Sequence, residues 1–453
     1  MRELYPFQKS IYNIILNRNQ VALFVDMRLG KSIIILRWLK YKQAKRTLIV
    51  CPLSVMDTWK RELELEGIIC FEFRTYKKEL IPFLNIFNGV VLTNYEALVH
   101  SDINTIPWEC VILDESQKIR RHQAKLSRIT TDSFPNVPLK AILTGTPAPE
   151  SPLDYFQQFK FLKGHFLDHD NIWDFKFRHM IMYGSKFIPT HGAINLIKGF
   201  LAQHAIIVSR KNPAVQSIFK NEKIYEPRYI EMEKDAYSIY KKMERDWAIG
   251  IDSENQLHAK FAIVVQNYLH QMASGFLKRS ENFVSQHKIK ELVNICQEEL
   301  PKEDKVVIFC KHLKELEAIC QALPGSIPIN GQVPPENRTQ RIKSWSKNNH
   351  NRFLVCQIAT ASMGINLSAA DTAIYFSNSW ALQDRLQSED RILSPENNTL
   401  LYIDLITKNT IDEDIISALK DKRDGQNIDF FLKVYSNFRK RTLSTKQKQA
   451  QVV

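Results

Sequence analysis

Glycine is scarce in this chain, 14 residues of 453 against an average of about 7%, so the few that follow apolar runs carry weight. The seven cysteines, at positions 51, 70, 110, 296, 310, 320 and 356, form no C-x-x-C pair and no Cys/His cluster at zinc spacing. That argues against a disulfide framework and against structural zinc. Several lie in strand-like runs such as "LIVCP", "VVIFCK" and "FLVCQ", where cysteine behaves as a small hydrophobe. No apolar run is long enough to span a bilayer. The N-terminus "MRELYPFQKS" is charged where a secretory signal needs an apolar stretch. A reduced, intracellular protein without a membrane partner is expected, cytoplasmic in a bacterial or virus-infected cell and nuclear in a eukaryote. Short-period repeats and low-complexity tracts are also lacking.

What is present is a net charge of +13, which favours a polyanionic partner but is equally compatible with a solvated basic surface. Two regions alternate short buried-type strands with amphipathic helices, as parallel α/β sheets do. The first contains "QVALFVD", "RTLIVCP", "GVVLTN", "CVILDE" and "KAILTGT"; the second contains "KVVIFCK", "RFLVCQI", "TAIYFSN" and "LLYIDLI". Between them, "KDAYSIYKKMERDWAIGI" and "HAKFAIVVQNYLHQMASGFL" read as long amphipathic helices. The expected organisation is an α/β lobe over 1–212, a helical connector over 213–285, a second α/β lobe over 286–432 and a tail over 433–453. That tail holds six basic residues and no acidic one. In open α/β sheets ligands bind outside the carboxyl ends of the strands, so the polar residues ending these runs should share one edge.

Three of those ends carry chemistry. "VALFVDMRLGKS" is a strand, a turn and a helix start, the setting of a phosphate-binding loop, although Val25 stands where the usual pattern has its first glycine. A helix N-terminus presents free N–H groups to an anion. Gly30 lets the backbone approach, Lys31 can reach the β- and γ-phosphates, and Ser32 can hold Mg²⁺. The plain alternative is a surface turn with an incidental Gly-Lys-Ser. "ECVILDESQK" places Asp114 and Glu115 directly after a buried strand. One carboxylate can hold Mg²⁺ through water and the other can take a proton from an attacking water; alone, such a pair is more often a solvated turn. "KAILTGTPAPE" ends in Thr144, Gly145 and Thr146, whose hydroxyls can bond the acidic pair and sense the γ-phosphate.

These signals in this order resemble the motor core of helicase superfamily 2, and within it the Swi/Snf-type branch of double-stranded DNA translocases. Further strings follow in the family's order: "LYPFQKSIYNII", "LIVCPLSVMDTWKREL", "VVLTNYEAL", "VILDESQKIR", "LTGTPAPESPLDYFQQFKFL" and "IIVSRK", then "VVIFCKHLKELEAI", "ATASMGINLSAAD" and "WALQDRLQSEDRI". The resemblance covers nearly the whole chain and implies two tandem RecA-like lobes with ATP and Mg²⁺ as cofactors. It implies that Gln8 reads adenine and that Met27, Arg28, Leu29, Gly30, Lys31 and Ser32 cradle the phosphates, with Gly364 on the second lobe. Ser54, Trp59, Lys60, Thr93, Asn94, Lys311 and Thr360 would meet DNA. Lys31, Glu115, Gln387 and Arg391 would serve hydrolysis, and Thr144, Gly145 and Thr146 would couple ATP to DNA. The branch itself lacks the early glycine that Val25 replaces.

Departures are few. Arg28 replaces a glycine, Ala361 and Ser362 replace a glycine pair, and Ser394 replaces the second of two arginines that reach the γ-phosphate. A trans-acting arginine is worth about 10³ or more in rate. Three explanations stand open: Arg391 suffices, Arg385 or Lys311 substitutes, or the protein is an ATP-responsive DNA-binding switch. The leading expectation is a DNA-dependent ATPase that translocates on double-stranded or branched DNA, compact like a bacterial or viral member, with a protein partner left open. A strand-separating or annealing helicase is the alternative within the superfamily.

Overall fold

The apolar runs become parallel strands because both of their faces are covered. The computed structural model describes residues 2–74, 78–148, 151–183, 186–218, 222–251, 258–277, 283–348, 350–361, 365–393 and 399–423. Contacts divide the chain into two units, Met1–Lys220 and Asn221–Val453.

The first unit contains β1 (Gln20–Val25), β2 (Arg46–Cys51), β3 (Cys70–Phe73), β4 (Gly89–Asn94), β5 (Cys110–Asp114) and β6 (Leu139–Thr144). An antiparallel hairpin of β7 (Met180–Tyr183) and β8 (Lys186–Pro189), not anticipated from the sequence, precedes β9 (Ala205–Val208). The sheet runs β3-β4-β2-β5-β6-β1-β9 with every pair parallel. Alternate residues of a strand point to opposite faces. Phe24, Val50, Leu113 and Ile142 pack on the side of Phe156, Phe159 and Phe175. Val21, Leu23, Val25, Ile49 and Leu143 pack on the side of Ile33, Ile34 and Trp38. A strand with two buried faces has no polar alternation to show, which is why the runs read as continuous. Cys51 and Cys110 are buried free thiols within them.

The second unit is built on β10 (Glu222–Ile230), β11 (Val306–Cys310), β12 (Ile327–Ile329), β13 (Phe353–Gln357), β14 (Thr372–Tyr375) and β15 (Thr399–Thr407). They form one sheet in the order β10-β15-β14-β11-β13-β12, again with parallel pairs. The fold is therefore two parallel α/β sheets in tandem, as expected. The connector differs from the expectation of a wholly helical segment: the helices Lys234–Ile251 and His258–Ala273 are there, but β10 precedes them as the edge of the second sheet. Its text, "EKIYEPRYI", is charged and contains Pro227, which an edge strand tolerates because one side makes no ladder. The basic tail lies outside the described residues. Among the described residues no helix is long and apolar enough to cross a membrane.

Where the helix His258–Ala273 meets the second sheet, His287 is buried. Its Nε2 lies 3.1 Å from the Ala273 carbonyl and 2.9 Å from Thr407 Oγ1, and its Nδ1 lies 2.6 Å from Ser285 Oγ. A carbonyl only accepts, so this is the neutral Nε2–H tautomer with Nδ1 accepting from the serine. Burial, reinforced by Lys288 and opposed by Asp412, the Ala273 carbonyl and Glu233, pushes the imidazole down to about 4. Because the folded value lies below the unfolded one, the unfolded chain binds the extra proton; stability is fully present above about pH 6.5 and falls as pH drops towards 4. Urea unfolding between pH 7 and 4.5 is expected to show a loss of about 1–3 kcal/mol that shrinks in His287→Gln. Equal slopes in the two proteins would contradict this.

Candidate nucleotide site

The loop after β1 is shaped by backbone that most residues avoid. Gly30 caps the helix Lys31–Lys42 at φ 82° and ψ 36°, and a Cβ there would fall 2.3 Å from Gln8 Nε2. Gln8 is buried, donates to the Leu29 carbonyl at 3.0 Å and accepts from the Tyr5 N–H at 3.0 Å. The helix Pro6–Ile15 is thus tied to the loop through the amide expected to read adenine. Lys31 Nζ donates to the carbonyls of Val25 at 2.7 Å and Asp26 at 3.2 Å, which holds a cation at the strand end. Met27 and Leu29 are buried, and Ser32 stands in the first turn of the helix.

Arg28, at the position where the family keeps glycine, is left-handed with φ 60°. Left-handed backbone costs a residue with a Cβ roughly 1–2 kcal/mol, partly offset by glycine's greater entropy loss on folding. Arg28→Gly is expected to stabilise the protein by a few tenths to about 1 kcal/mol, read as a higher denaturant midpoint. A lower midpoint would show that contacts of the arginine outweigh the strain.

The loop after β5 brings the acidic pair to the same edge. Asp114 Oδ2 accepts from Trp59 Nε1 at 2.7 Å, Oδ1 accepts from the Glu115 N–H at 2.9 Å, and its carbonyl accepts from the Tyr95 hydroxyl at 2.8 Å. Burial first and the neighbouring Glu115 second push the Asp114 carboxyl up to about 6, against the pull of Trp59, Lys31 and the Glu115 N–H. Glu115 is itself left-handed at φ 51°, and Gln117 Nε2 donates to its Oε2 at 2.7 Å.

The loop after β6 closes on the other two. A Cβ on Gly145 would meet Met27 Cγ at 3.0 Å and Met27 N at 3.2 Å, so a larger residue there would press this loop away from the phosphate loop by a few tenths of an ångström. Thr144 Oγ1 accepts from the Thr146 N–H at 3.0 Å. Contrary to expectation, neither threonine hydroxyl bonds the acidic pair. Gln158 makes the link instead: its Oε1 accepts from Ser116 Oγ at 2.7 Å, and its Nε2 donates to the carbonyls of Pro147 at 2.6 Å and Asp154 at 2.8 Å. Thr146 Oγ1 is buried without a hydrogen-bond partner, an orphan that a phosphate oxygen or its water would satisfy. A lysine, a helix N-terminus, a hydroxyl and a carboxylate therefore converge as a Mg²⁺-nucleotide requires. Mg²⁺ is usually bound by one or two carboxylates together with substrate phosphates, so the lack of a three-residue metal cluster among the described residues is no obstacle.

Arg210 escaped sequence reasoning, although "IIVSRK" contained it. Its N–H donates to Asp26 Oδ2 at 2.9 Å and its guanidinium to the Met27 carbonyl at 2.7 Å, bracing the phosphate loop from the end of β9. The assignment follows from β9 pairing with β1, Val25 opposite Val208, which no local string reveals.

Several residues expected to meet DNA have internal tasks. Trp59 is 2% exposed and spends its only donor on Asp114. Thr93 is buried and donates to the Phe73 carbonyl at 2.8 Å. Asn94 is buried, caps the helix Tyr95–Val99 by accepting from the Ala97 N–H at 2.6 Å, and donates to the Arg74 carbonyl at 3.2 Å. Thr360 is buried as well. Lys60 is exposed and pairs with Glu72 at 2.8 Å. Ser54 lies in a single 3-10 turn, Leu53–Val55, and its side chain is outside the described residues.

In the second unit Gln387 is buried on the helix Leu382–Glu389, and Arg391 follows it half-buried, its carbonyl accepting from the Leu367 N–H at 2.9 Å. Arg385 is no substitute for a missing arginine. It is buried, donates to Asp404 Oδ2 at 3.0 Å, Glu389 Oε1 at 2.8 Å and Asn378 Oδ1 at 2.8 Å, and its guanidinium lies 3.6 Å from the Tyr375 ring centroid. Lys311 is turned inward too, its Nζ 3.3 Å from His270 Nδ1, and burial lowers its ammonium from the usual range. Gly364, Ser362 and Ser394 lie outside the described residues.

A doubly covered parallel sheet carrying a Gly-Lys-Ser turn after one strand and an acidic pair after another defines a nucleotide-binding α/β protein. The chain belongs to the SNF2-related family: residues 8–275 match its SNF2-related domain, and residues 287–395 match the helicase conserved C-terminal domain. It is 26% identical over 444 residues to the Caenorhabditis elegans homolog of SWI/SNF-related matrix-associated actin-dependent regulator of chromatin subfamily A-like protein 1, covering 94% of this chain and 61% of that one. An uncharacterized ATP-dependent helicase of Mycoplasma genitalium is 23% identical over 420 residues, covering 88% of this chain and 39% of that one. The chain thus spans 61% of the length of the first relative and 39% of the second, less than two thirds of either. The Sulfolobus solfataricus SWI2/SNF2 ATPase core in complex with dsDNA is similar at 21% identity and a TM-score of 0.46, over 98% of this chain and 96% of that one.

Proposed function

We propose that the chain is a DNA-dependent ATPase that translocates on double-stranded DNA, remodelling protein–DNA complexes or branched DNA. The observation that carries this reading is the meeting of three loops at the carboxyl edge of the first sheet, those after β1, β5 and β6, in a chain of the SNF2-related family. Lys31 and the N–H groups of the helix it opens bind the phosphates, and Gln8 orients the base. Glu115 takes the proton from the attacking water, and Thr144, Gly145 and Thr146 report the state of the site. Mg²⁺ held through Ser32, Asp114 and the phosphates would neutralise charge on the transferring group. Gln387 and Arg391, in the second unit, are the further residues that the family resemblance assigns to hydrolysis. A net charge of +13 supports a phosphate-backbone contact that is salt-sensitive and weakly sequence-specific.

The switch reading draws support from the inward placement of Arg385 and Lys311, neither of which replaces the arginine for which Ser394 stands. Translocation is tested by displacement of a triplex-forming oligonucleotide from duplex DNA. ATP-dependent displacement without unwinding of a forked duplex is expected. Fork unwinding would move the assignment to a strand-separating helicase, and hydrolysis with neither activity would overturn translocation.

A further inference from the structure

The two segments that hold residues the resemblance assigns to DNA, "SVMDTWKREL" and "LTNYEAL", each send one buried aromatic donor to Asp114. Trp59 leaves the helix Met56–Leu65 on its buried face with Met56 and Leu63, and its Nε1 reaches Asp114 Oδ2 at 2.7 Å. Tyr95 opens the helix Tyr95–Val99, is fully buried, and its hydroxyl reaches the Asp114 carbonyl at 2.8 Å. Neither contact is needed merely to fill space, since phenylalanine offers a comparable ring without the donor. A carboxylate rotates about one bond, and the indole N–H together with the Glu115 N–H on Oδ1 fixes both of its oxygens.

We infer that Trp59 and Tyr95 are positioning residues that tie these two segments to the metal-binding carboxylate, so that DNA engagement and Mg²⁺-nucleotide binding are linked through Asp114. The inference rests on the proposed nucleotide site and on the proposed contact of these two segments with duplex DNA. A displacement of the helix Met56–Leu65 that lengthens the indole contact releases the carboxylate, and a carboxylate fixed by bound Mg²⁺ in turn holds that helix. The linkage is reciprocal, as any coupling between two binding sites must be.

The test uses Trp59→Phe and Tyr95→Phe in the full chain, with Glu115→Gln present in every protein so that binding is read without turnover. Binding of a fluorescent ATP analogue is titrated with Mg²⁺, with and without duplex DNA. Groups that orient metal ligands typically cost about 10–100-fold in metal affinity when removed. Trp59→Phe is expected to raise the Mg²⁺ midpoint about tenfold or more, to leave nucleotide binding in chelator unchanged, and to shrink the shift that DNA causes. Tyr95→Phe should move the same quantities less, because it touches the carbonyl and not the carboxylate. Leu63→Ala, on the same buried face, should lower the melting temperature without moving the midpoint. A Trp59→Phe protein that stays folded with the parent's midpoint and DNA shift overturns the inference alone. A parent without Mg²⁺-dependent nucleotide binding overturns the nucleotide-site reading and the inference with it.

Discussion

Glu115→Gln is expected to lower DNA-stimulated ATP hydrolysis by about 10²–10⁴-fold, the usual contribution of a positioned general base, while ATP still binds. The substitution keeps the shape of the side chain and its contact with Gln117, which donates to Oε2 at 2.7 Å, and removes the ability to accept a proton. The backbone argues for the same residue independently. A left-handed φ of 51° at a residue with a Cβ costs roughly 1–2 kcal/mol, and such strain concentrates at functional sites where the surroundings over-determine it. Here Ser116 is anchored through Gln158 on one side and Asp114 through Trp59 and Tyr95 on the other. Phosphate release with equal amounts of parent and variant decides the matter; a variant retaining more than a tenth of the parent rate, corrected for any change in ATP binding, would remove Glu115 from the base role.

The second large effect concerns stability. Glu389 is buried beneath a ring of cations, pairing with Arg385 at 2.8 Å, Arg423 at 2.6 Å and Lys223 at 3.4 Å, and accepting from the Tyr225 hydroxyl at 2.8 Å. These partners come from β10, the helix Leu382–Glu389 and the helix Ile411–Arg423, so one carboxylate joins the edge strand to two helices. Removing one member of a buried ionic group costs about 3–5 kcal/mol when its partner is left buried and uncompensated. Here Arg385 keeps Asp404 and Asn378 while Lys223 and Arg423 reach solvent, so the loss falls to about 1.5–3 kcal/mol, the worth of hydrogen bonds to a charged group. Glu389→Ala is expected to lose that much, measured by urea unfolding at pH 7. A loss under about 1 kcal/mol would place the group with surface pairs of little worth. Burial alone would push the Glu389 carboxyl up, but Arg385, Lys223 and Arg423 outweigh it and bring it down to about 2. With the folded value below the unfolded one, this contribution is present above about pH 4.5 and is lost as pH falls from there towards 2. Acid unfolding below pH 4 should therefore be blunted in the variant.

How much of this was legible in the sequence follows from what each residue depends on. The short, partly buried β3, β9 and β12 offered no unbroken apolar run, whereas β1, β2, β4, β5, β6, β11, β13, β14 and β15 were legible, because burial on two faces leaves such a run. So were the loops after β1, β5 and β6, because a strand end followed by Gly-Lys-Ser, Asp-Glu or Thr-Gly-Thr is a local pattern. β10 was not, since an edge strand with alternating exposure, a proline and four charged residues lacks both the run and the clean period of two. The direction of a side chain was not legible either. The strings containing Trp59, Thr93 and Asn94 mark the segments in family order but do not say that these three point inward. Arg210 and Gln158 act across sheet neighbours and loops, so their roles appear only once β9 lies beside β1 and the helix Asp154–Lys163 lies beside the acidic loop.

The central claim is that one chain binds ATP, hydrolyses it and answers to duplex DNA. Phosphate release measured without DNA, with single-stranded DNA and with duplex DNA tests it most directly, with Lys31→Ala as the control. Duplex-stimulated release that vanishes in Lys31→Ala is the predicted result, and it would show that Arg391 suffices where Ser394 replaces a second arginine. No release under any of the three conditions, from a protein that binds both ATP and DNA, would contradict the motor and leave a nucleotide-dependent DNA-binding switch in its place.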